Sequence, residues 1–278
     1  MNIFITGATG FIGNHVLKEL LKLNYSVSAC IHQSELSVPC KIFKVDYRHM
    51  QQAQDWLPLL HNIDVVINCV GIIAETSKAR FNVLHAAAPI ALFKACKHAD
   101  VKKVIQISAL GADDSALVAY HKTKKQADDY LKQSNLNWYI LKPSLVYGEQ
   151  GESYRLFKRL SNLPLIPLVG NGQQLIQPVH IDVLVQTIIQ CLHSDTKTKQ
   201  SLNIVGPKAI SYQTWMQSLR TKKFKARFLA IPFKLMLFFA KLGSFFGLKL
   251  LSPDNLTMLK QNNIADVRPL QNFLDGEK

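Results

Sequence analysis

Met1-Asn2-Ile3-Phe4-Ile5-Thr6-Gly7-Ala8-Thr9-Gly10-Phe11-Ile12-Gly13 is the stretch on which the reading of this chain turns. A short apolar run ends in G-x-x-G-x-x-G and passes directly into the amphipathic pattern of 11–22. In a strand–turn–helix, one glycine makes the tight turn, another lets backbone approach a pyrophosphate, and the last lets helix pack closely on strand. The helix start adds unpaired N–H groups and a positive dipole end. The pattern predicts dinucleotide binding, with a purely structural glycine turn as the plainer reading.

Working outward, short β-branched runs at 2–6, 26–31, 41–45, 64–69, 103–108 and 137–142 alternate with helical spacing at 11–22, 50–60, 79–98 and 117–133. Such alternation builds βαβ units with right-handed crossovers. The expected fold is therefore α/β, a Rossmann-type doubly wound parallel sheet, with a smaller, mostly helical C-terminal lobe. From Pro143 the chain becomes loop-rich, with Gly148, Gly151, Pro164, Pro167, Gly170 and Gly172, before a helix near 179–192 and a strand at 202–205. We expect 1–145 to form the nucleotide-binding domain, 176–206 to return to it, and 146–175 with 207–278 to form the small lobe.

The composition suits that plan. At 278 residues, one large domain or two unequal ones fit, and 48% hydrophobic with 19% charged residues describes a packed chain rather than a disordered one. Cys30, Cys40, Cys69, Cys96 and Cys191 form no C-x-x-C pair, so neither a disulfide framework nor a metal site is expected. The first apolar run is too short for a signal-peptide core, which favours a cytoplasmic setting. A net charge of +14 attracts anions of any kind and does not choose among them.

At the end of the second strand, Ile31-His32-Gln33-Ser34 lacks the acid that would bond the ribose 2′-OH of NAD. His32, Gln33 and Ser34 can all donate hydrogen bonds, which favours NADP(H) over NAD(H); the plainer reading of His32 is an exposed residue at a strand end. Tyr120 and Lys124, four residues apart, share a helix face. A nearby Lys⁺ is expected to lower the tyrosine pKa so that the phenol exchanges a proton with a carbonyl or alcohol. Tyr154 and Lys158 match the same spacing, but only Tyr120 follows a strand ending in Ser108, whose hydroxyl is expected to bond the substrate oxygen.

With these residues the chain resembles the atypical, extended branch of the short-chain dehydrogenase/reductase superfamily, and most of all the NADPH-binding accessory subunit family of respiratory complex I. The resemblance rests on 6–13, Asp46-Tyr47, 66–72, 107–112, the Tyr120/Lys124 pair, 141–148, 177–183 and 255–266. It implies that Gly7, Thr9, Gly10, Phe11, Ile12 and Gly13 hold the pyrophosphate. Asp46 with Tyr47 would flank the adenine, Val70 and Gly71 the ribose and phosphates, and Pro143 and Val146 the nicotinamide. Ser108, Tyr120 and Lys124 would be catalytic. Three residues depart from the family pattern: His32 stands where Arg is usual, Lys142 where Arg commonly precedes Pro143, and Ser108 runs straight into Ala109, which disfavours sugar-nucleotide chemistry. Two readings of the pair stay open, a working oxidoreductase acting on a small or lipophilic carbonyl or alcohol, and a nucleotide clamp in an assembly factor, where Lys124 only binds the nicotinamide ribose.

The segment 222–251 is basic and apolar at once. Lys234, Lys241 and Lys249 recur at intervals of seven and eight that place them in one helical sector opposite Phe, Leu and Met, and the aromatic residues such a lobe would expose are Phe238, Phe239, Phe245 and Phe246. It is too interrupted to span a membrane. It reads either as helices closing the small lobe or as a membrane-facing surface; nucleic acid is not expected. The histidines, His85 and His121 among them, read as surface or core filler, with His180 closest to the expected cleft. Cys69 has no base partner for thiol chemistry, and Asp113 and Asp114 read as turn residues.

Overall fold

Strict alternation along each central strand sends side chains to two opposite cores. Ile3, Ile5, Ile67, Ile105 and Leu141 face one layer, while Phe4, Val66, Val104 and Ile140 face the other. This is a computed structural model, and it describes residues 1–33, 35–193, 197–222, 227–238 and 252–276. Among the described residues, β1 (Asn2–Thr6), β2 (Ser26–Ile31), β3 (Lys41–Lys44), β4 (Val65–Asn68), β5 (Lys103–Ile107), β6 (Trp138–Pro143) and a later strand, Gln200–Ile204, form one seven-stranded sheet. Every pairing in it is parallel, in the order β3-β2-β1-β4-β5-β6 followed by the later strand. The order reverses between β1 and β4, and a crevice opens outside the carboxyl ends of the strands at such a switch point.

Three helices cover one face: α1 (Phe11–Lys22) by Val16, Leu17 and Leu20, the helix Ile181–Gln190 by Leu184 and Ile188, and the C-terminal Arg268–Asp275 by Leu270 and Phe273. That last helix falls within 207–278 yet packs on the sheet, its Phe273 ring 6.0 Å from Tyr139. The opposite face is covered by α2 (Ala53–Trp56), α3 (Ala88–His98) and α4 (Ala119–Gln133), through Trp56, Leu92 and Leu131. The helix expected over 50–60 is reduced to α2 and one 3₁₀ turn, Leu57–Leu59, because Pro58 lacks an N–H and Trp56 is drawn fully into the core. A wide π turn, Asn82–Ala87, precedes α3 and buries His85.

The smaller lobe carries helices and also three two-stranded ladders, more strand than its sequence suggested. Leu165–Val169 pairs in parallel with Arg227–Ile231, so the first part of the basic, apolar segment is strand, and a helical turn at 233–238 starts only after Pro232. Lys241, Lys249, Phe239, Phe245 and Phe246 lie outside the described residues. Gln177 ties lobe to sheet: its Nε2 donates to the Gly206 carbonyl, its Oε1 accepts from the Ala265 N–H, and its carbonyl accepts from Ser144 Oγ.

A buried polar chain crosses three adjacent strands. Asn68 Oδ1 accepts from Thr6 Oγ1 at 2.6 Å and from the Tyr47 hydroxyl at 3.2 Å, and its Nδ2 donates to Gln106 Oε1 at 2.7 Å. Orphaning a buried polar group costs ~1–3 kcal/mol. Asn68→Ala leaves these partners unsatisfied and is expected to lower unfolding free energy by about 3 kcal/mol in urea titrations; a loss below about 1 kcal/mol would mean the network carries little stability.

Candidate active site

The turn after β1 owes its shape to two glycines. Gly7 adopts φ +66°, and a Cβ on Gly13 would stand 2.2 Å from the Gly7 carbonyl oxygen, so α1 rests directly on the turn. Gly10 caps α1 with no side-chain hydrogen bond, and the first turn holds no acid. Its leading N–H groups are left for an anion. A cavity of about 340 Å³ opens there, lined by Gly7, Thr9 and Gly10 from this turn, His32 after β2, Asp46 and Tyr47 after β3, and Val70 and Gly71 after β4. These expected cofactor residues are thus brought together. Phe11, Ile12 and Gly13 do not line it: Phe11 and Ile12 pack on the core, and Gly13 acts by admitting the helix to the turn.

Two basic residues that the sequence reading passed over also line this cavity, Arg48 and Lys78. Arg48 grips Asp46 through Nε at 2.9 Å to both carboxylate oxygens, and its backbone N–H donates to the same group. That hydrogen bonding holds the Asp46 carboxyl down at about 2. His32 Nε2 lies 4.0 Å from Asp46. The position of Arg48, two residues beyond Asp46 at a strand end, is the signal that could have found it. Cys30 and Cys69 border the cavity too, and burial pushes both thiols up to about 12, which leaves them unreactive.

A second cavity, of about 550 Å³, lies between sheet and lobe and is lined by Tyr120, His121 and Pro143 among others. Tyr120 stands as expected on the wall, with Lys124 Nζ 5.7 Å from its ring centre. Burial pushes the phenol up to about 12, contrary to the expected lowering, because the group loses its hydration; Lys124 Nζ meanwhile donates to the Ile107 carbonyl at 3.0 Å. Burial brings Lys124 itself down to about 8, with Asp128 opposing the shift. A Cβ on Gly71 would lie 3.6 Å from both Lys124 Nζ and His85 Nε2, so these two groups stand behind the loop after β4, whose Gly71 and Ile72 line the first cavity and whose Ile73 lines the second.

Ser108 departs from expectation. Only 2% exposed, it lines neither cavity, and its hydroxyl donates to Asp128 Oδ2 on α4. Strand alternation turns it under the helix, and Ala109 and Leu110 face the cavity instead. Asp128 Oδ1 has no partner, and burial raises this carboxyl to about 6. Val146 also lines neither cavity, since it pairs with Val179 and packs on the core. His180 caps the helix Ile181–Gln190, accepting from the Asp182 N–H, and borders neither cavity.

His85, read in sequence as filler, positions the loop after β4. Its Nε2 accepts from the Ile72 N–H at 3.0 Å, and Nδ1 faces Thr123 Oγ1 at 3.3 Å. The ring stacks on Phe81 and meets Tyr120 edge-on at 5.3 Å. No metal-binding cluster occurs among the described residues, and no helix among them is long and apolar enough to cross a membrane.

Residues 7–164, more than half of the chain, match the family described as NAD(P)H-binding. The 40 kDa subunit of mitochondrial NADH-ubiquinone oxidoreductase from Neurospora crassa is 24% identical over 214 residues, covering 73% of this chain and 55% of that protein. Subunit 9 of the mouse NADH dehydrogenase [ubiquinone] 1 alpha subcomplex is 22% identical over 287 residues, covering 95% and 72%. A ceramide reductase of Caulobacter vibrioides is 22% identical over 185 residues, covering 65% and 57%. The chain spans about half the length of the Neurospora relative and of an Arabidopsis thaliana one. Among solved structures, UDP-glucuronic acid 4-epimerase from Bacillus cereus, in complex with UDP-glucuronic acid and NAD, superposes with TM-score 0.72 at 21% identity over 99% of this chain and 93% of that one. The UDP-glucose 4-epimerase of Thermus thermophilus with NAD gives 0.67 at 18% identity, covering 84% and 86%. These likenesses are of fold, and with the family match they establish nicotinamide dinucleotide binding on the Rossmann sheet.

Burial holds His85 neutral in the folded protein, its pKa lowered from 6.5 to about 2, whereas the unfolded chain takes up a proton below 6.5. Stability from this group is present above pH 6.5 and is lost as pH falls. Gln can accept from Ile72 and donate to Thr123 without titrating. Between pH 6.5 and 5.5, wild type should lose about 1 kcal/mol more unfolding free energy than His85→Gln, measured by urea titration; parallel losses in the two proteins would disprove the assignment.

Proposed function

The chain belongs to the NAD(P)H-binding family, and on that premise we propose that it is an NADP(H)-dependent oxidoreductase interconverting a carbonyl and an alcohol. One observation carries this reading: Tyr120 stands on the wall of a second cavity, separate from the dinucleotide cavity and beside it along the loop after β4, where Ile72 lines the one and Ile73 the other. A protein that only held its nucleotide would need no such space beside an aligned phenol and ammonium.

The turn of Gly7, Thr9 and Gly10 with the start of α1 would hold the pyrophosphate, Asp46 and Tyr47 the adenine end, and Gly71 and Lys124 the nicotinamide ribose. When bound, the nicotinamide supplies the hydride for reduction or takes it up in oxidation. Tyr120, with its phenol at about 12, keeps its proton at neutral pH and serves as donor to a carbonyl oxygen. The Lys124 charge stabilises the phenolate left behind. Since Ser108 faces Asp128, the substrate oxygen is held by Tyr120 without Ser108.

The NADP(H) preference is supported by His32, Arg48 and Lys78 around the dinucleotide cavity and by the lack of an acid in the first three residues after β2, His32-Gln33-Ser34. Arg48→Ala is expected to weaken NADPH about tenfold, as for loss of a charge-assisted hydrogen bond, and to leave NADH unchanged. Equal weakening of both nucleotides in calorimetric titrations would remove the 2′-phosphate from the argument.

For catalysis, Tyr120→Phe should cut turnover by ~10²–10⁴ while NADPH affinity is kept. Reduction by wild type should decline above pH about 8, where Lys124 loses its proton. A rate that is flat through pH 9, or a variant as fast as wild type, would defeat the proposal.

A second reading is favoured by the absence of Ser108 from the cavity and by the relatives named as respiratory subunits. In it, the chain holds NADPH as a structural element of a membrane-bound complex, with Lys124 as a ribose clamp. The exposed Leu235 and Phe238 of the 233–238 turn fit a membrane-facing surface of that kind. Stoichiometric NADPH binding with no oxidation by any carbonyl, in wild type and Tyr120→Phe alike, is what this reading expects.

A further inference from the structure

The chain carries 33 lysines and arginines, so the places that lack them are informative. The dinucleotide cavity is bordered by Arg48, Lys78 and His32. The 550 Å³ cavity is not: among the described residues its wall holds no lysine or arginine, and Asp113 is its one charged side chain. His121 there stays neutral, since burial lowers it to about 4. The rest is dominated by aliphatic and aromatic groups drawn from several elements, with Phe157 and Leu160 from the helix Glu152–Ser161, Val169 from the strand Leu165–Val169, and Leu256 and Leu259 from the helix Pro253–Lys260.

We propose that this cavity takes an uncharged, chain-like apolar substrate whose carbonyl or hydroxyl reaches Tyr120, and that it excludes nucleotide-linked sugars. The inference rests on the oxidoreductase reading for the reacting group but on the wall chemistry alone for the substrate body. A diphosphate moved into this space would lose its hydration, gain no cation from the described wall residues, and face the Asp113 carboxylate, which Ser115 holds ionised by hydrogen bonds from its N–H and hydroxyl. An alkyl chain gains on the same transfer, because each methylene leaves water for a wall already apolar. The volume lies within the ~300–1,000 Å³ of small-molecule pockets, enough for a substrate of a dozen or so heavy atoms.

The test uses the full chain loaded with NADP⁺, which prevents turnover, and the uncharged fluorophore N-phenyl-1-naphthylamine as a probe of the cavity. A series of 2-alkanones from 2-pentanone to 2-undecanone is titrated as competitors. Affinity is expected to rise about fourfold per added methylene, corresponding to ~0.8 kcal/mol each, until the cavity is filled. UDP-glucose at millimolar concentration is expected not to displace the probe. Leu156→Arg, which places a cation on the wall, should weaken 2-undecanone at least tenfold with NADP⁺ affinity kept; should that variant misfold, the wild-type series decides. Affinity that is flat along the series, or displacement by UDP-glucose, overturns the proposal. Rising affinity with no NADPH oxidation upholds the substrate class and counts against the oxidoreductase reading. Oxidation confined to short, polar carbonyls, with no gain from chain length, upholds the reading and sinks this inference.

Discussion

The molecule depends on how closely α1 is seated against the end of β1. Because Gly13 has no Cβ, the helix comes down onto the Gly7 carbonyl, and any side chain at that position would collide with backbone. The contact aims the start of α1 at the crevice where the strand order reverses, and Gly10 leaves its N–H groups uncapped. A general property of helix ends thereby becomes a directed anion site. The same contact lets Val16, Leu17 and Leu20 reach the sheet, so binding and core formation share one geometric requirement.

Beneath α4 the chain keeps ionisable groups that its core does not require. Lys124, Asp128 and the Ser108 hydroxyl are all buried, and one Asp128 oxygen is unpartnered. Burial depresses the lysine toward about 8 and raises the carboxyl toward about 6, so each is nearer neutrality than in water. Placing such groups under a helix face is costly unless they hold one another's orientation. Here they fix the position of the ammonium between the Ile107 carbonyl and the Tyr120 ring, behind Gly71 of the dinucleotide cavity. His85 steadies the same loop by holding the backbone at Ile72.

Charge is divided sharply between the two spaces. The dinucleotide cavity gathers the cations Arg48, after β3, and Lys78, with the His32 ring after β2 beside them, where strand ends and loops allow solvated side chains to turn inward. The larger cavity is walled by the inward faces of two helices and a strand, whose outer faces carry the polar residues. Amphipathic elements closing over a cleft make it apolar by default, and apart from Asp113 and His121 the polar groups among its described residues are uncharged ones such as Ser144, Asn255 and Asn262.

Periodicity and glycine placement made the sheet legible: β1 and β2 and the helix α1 have the bounds read from the chain, and β4, β5 and β6 shift by only one residue at an end. The turn residues of the cofactor cavity and the Tyr120/Lys124 pair were legible for the same reason, because local backbone and helical spacing place them whatever the rest of the chain does. Four things were settled only by tertiary packing. Ser108 faces Asp128 because a strand end can present either of two successive residues to a cleft, and the covering helix selects which. Tyr120 is raised rather than lowered because desolvation depends on everything packed around it. Arg48 and His85 come to the site across long stretches of sequence, by the docking of a loop and of a π turn. The apolar character of the large cavity arises from elements far apart along the chain, each unremarkable in isolation. A sequence specifies its periods and turns locally, whereas the dielectric and the partners around a group are set by non-local contacts that exist only once the sheet, its helices and the lobe have closed together.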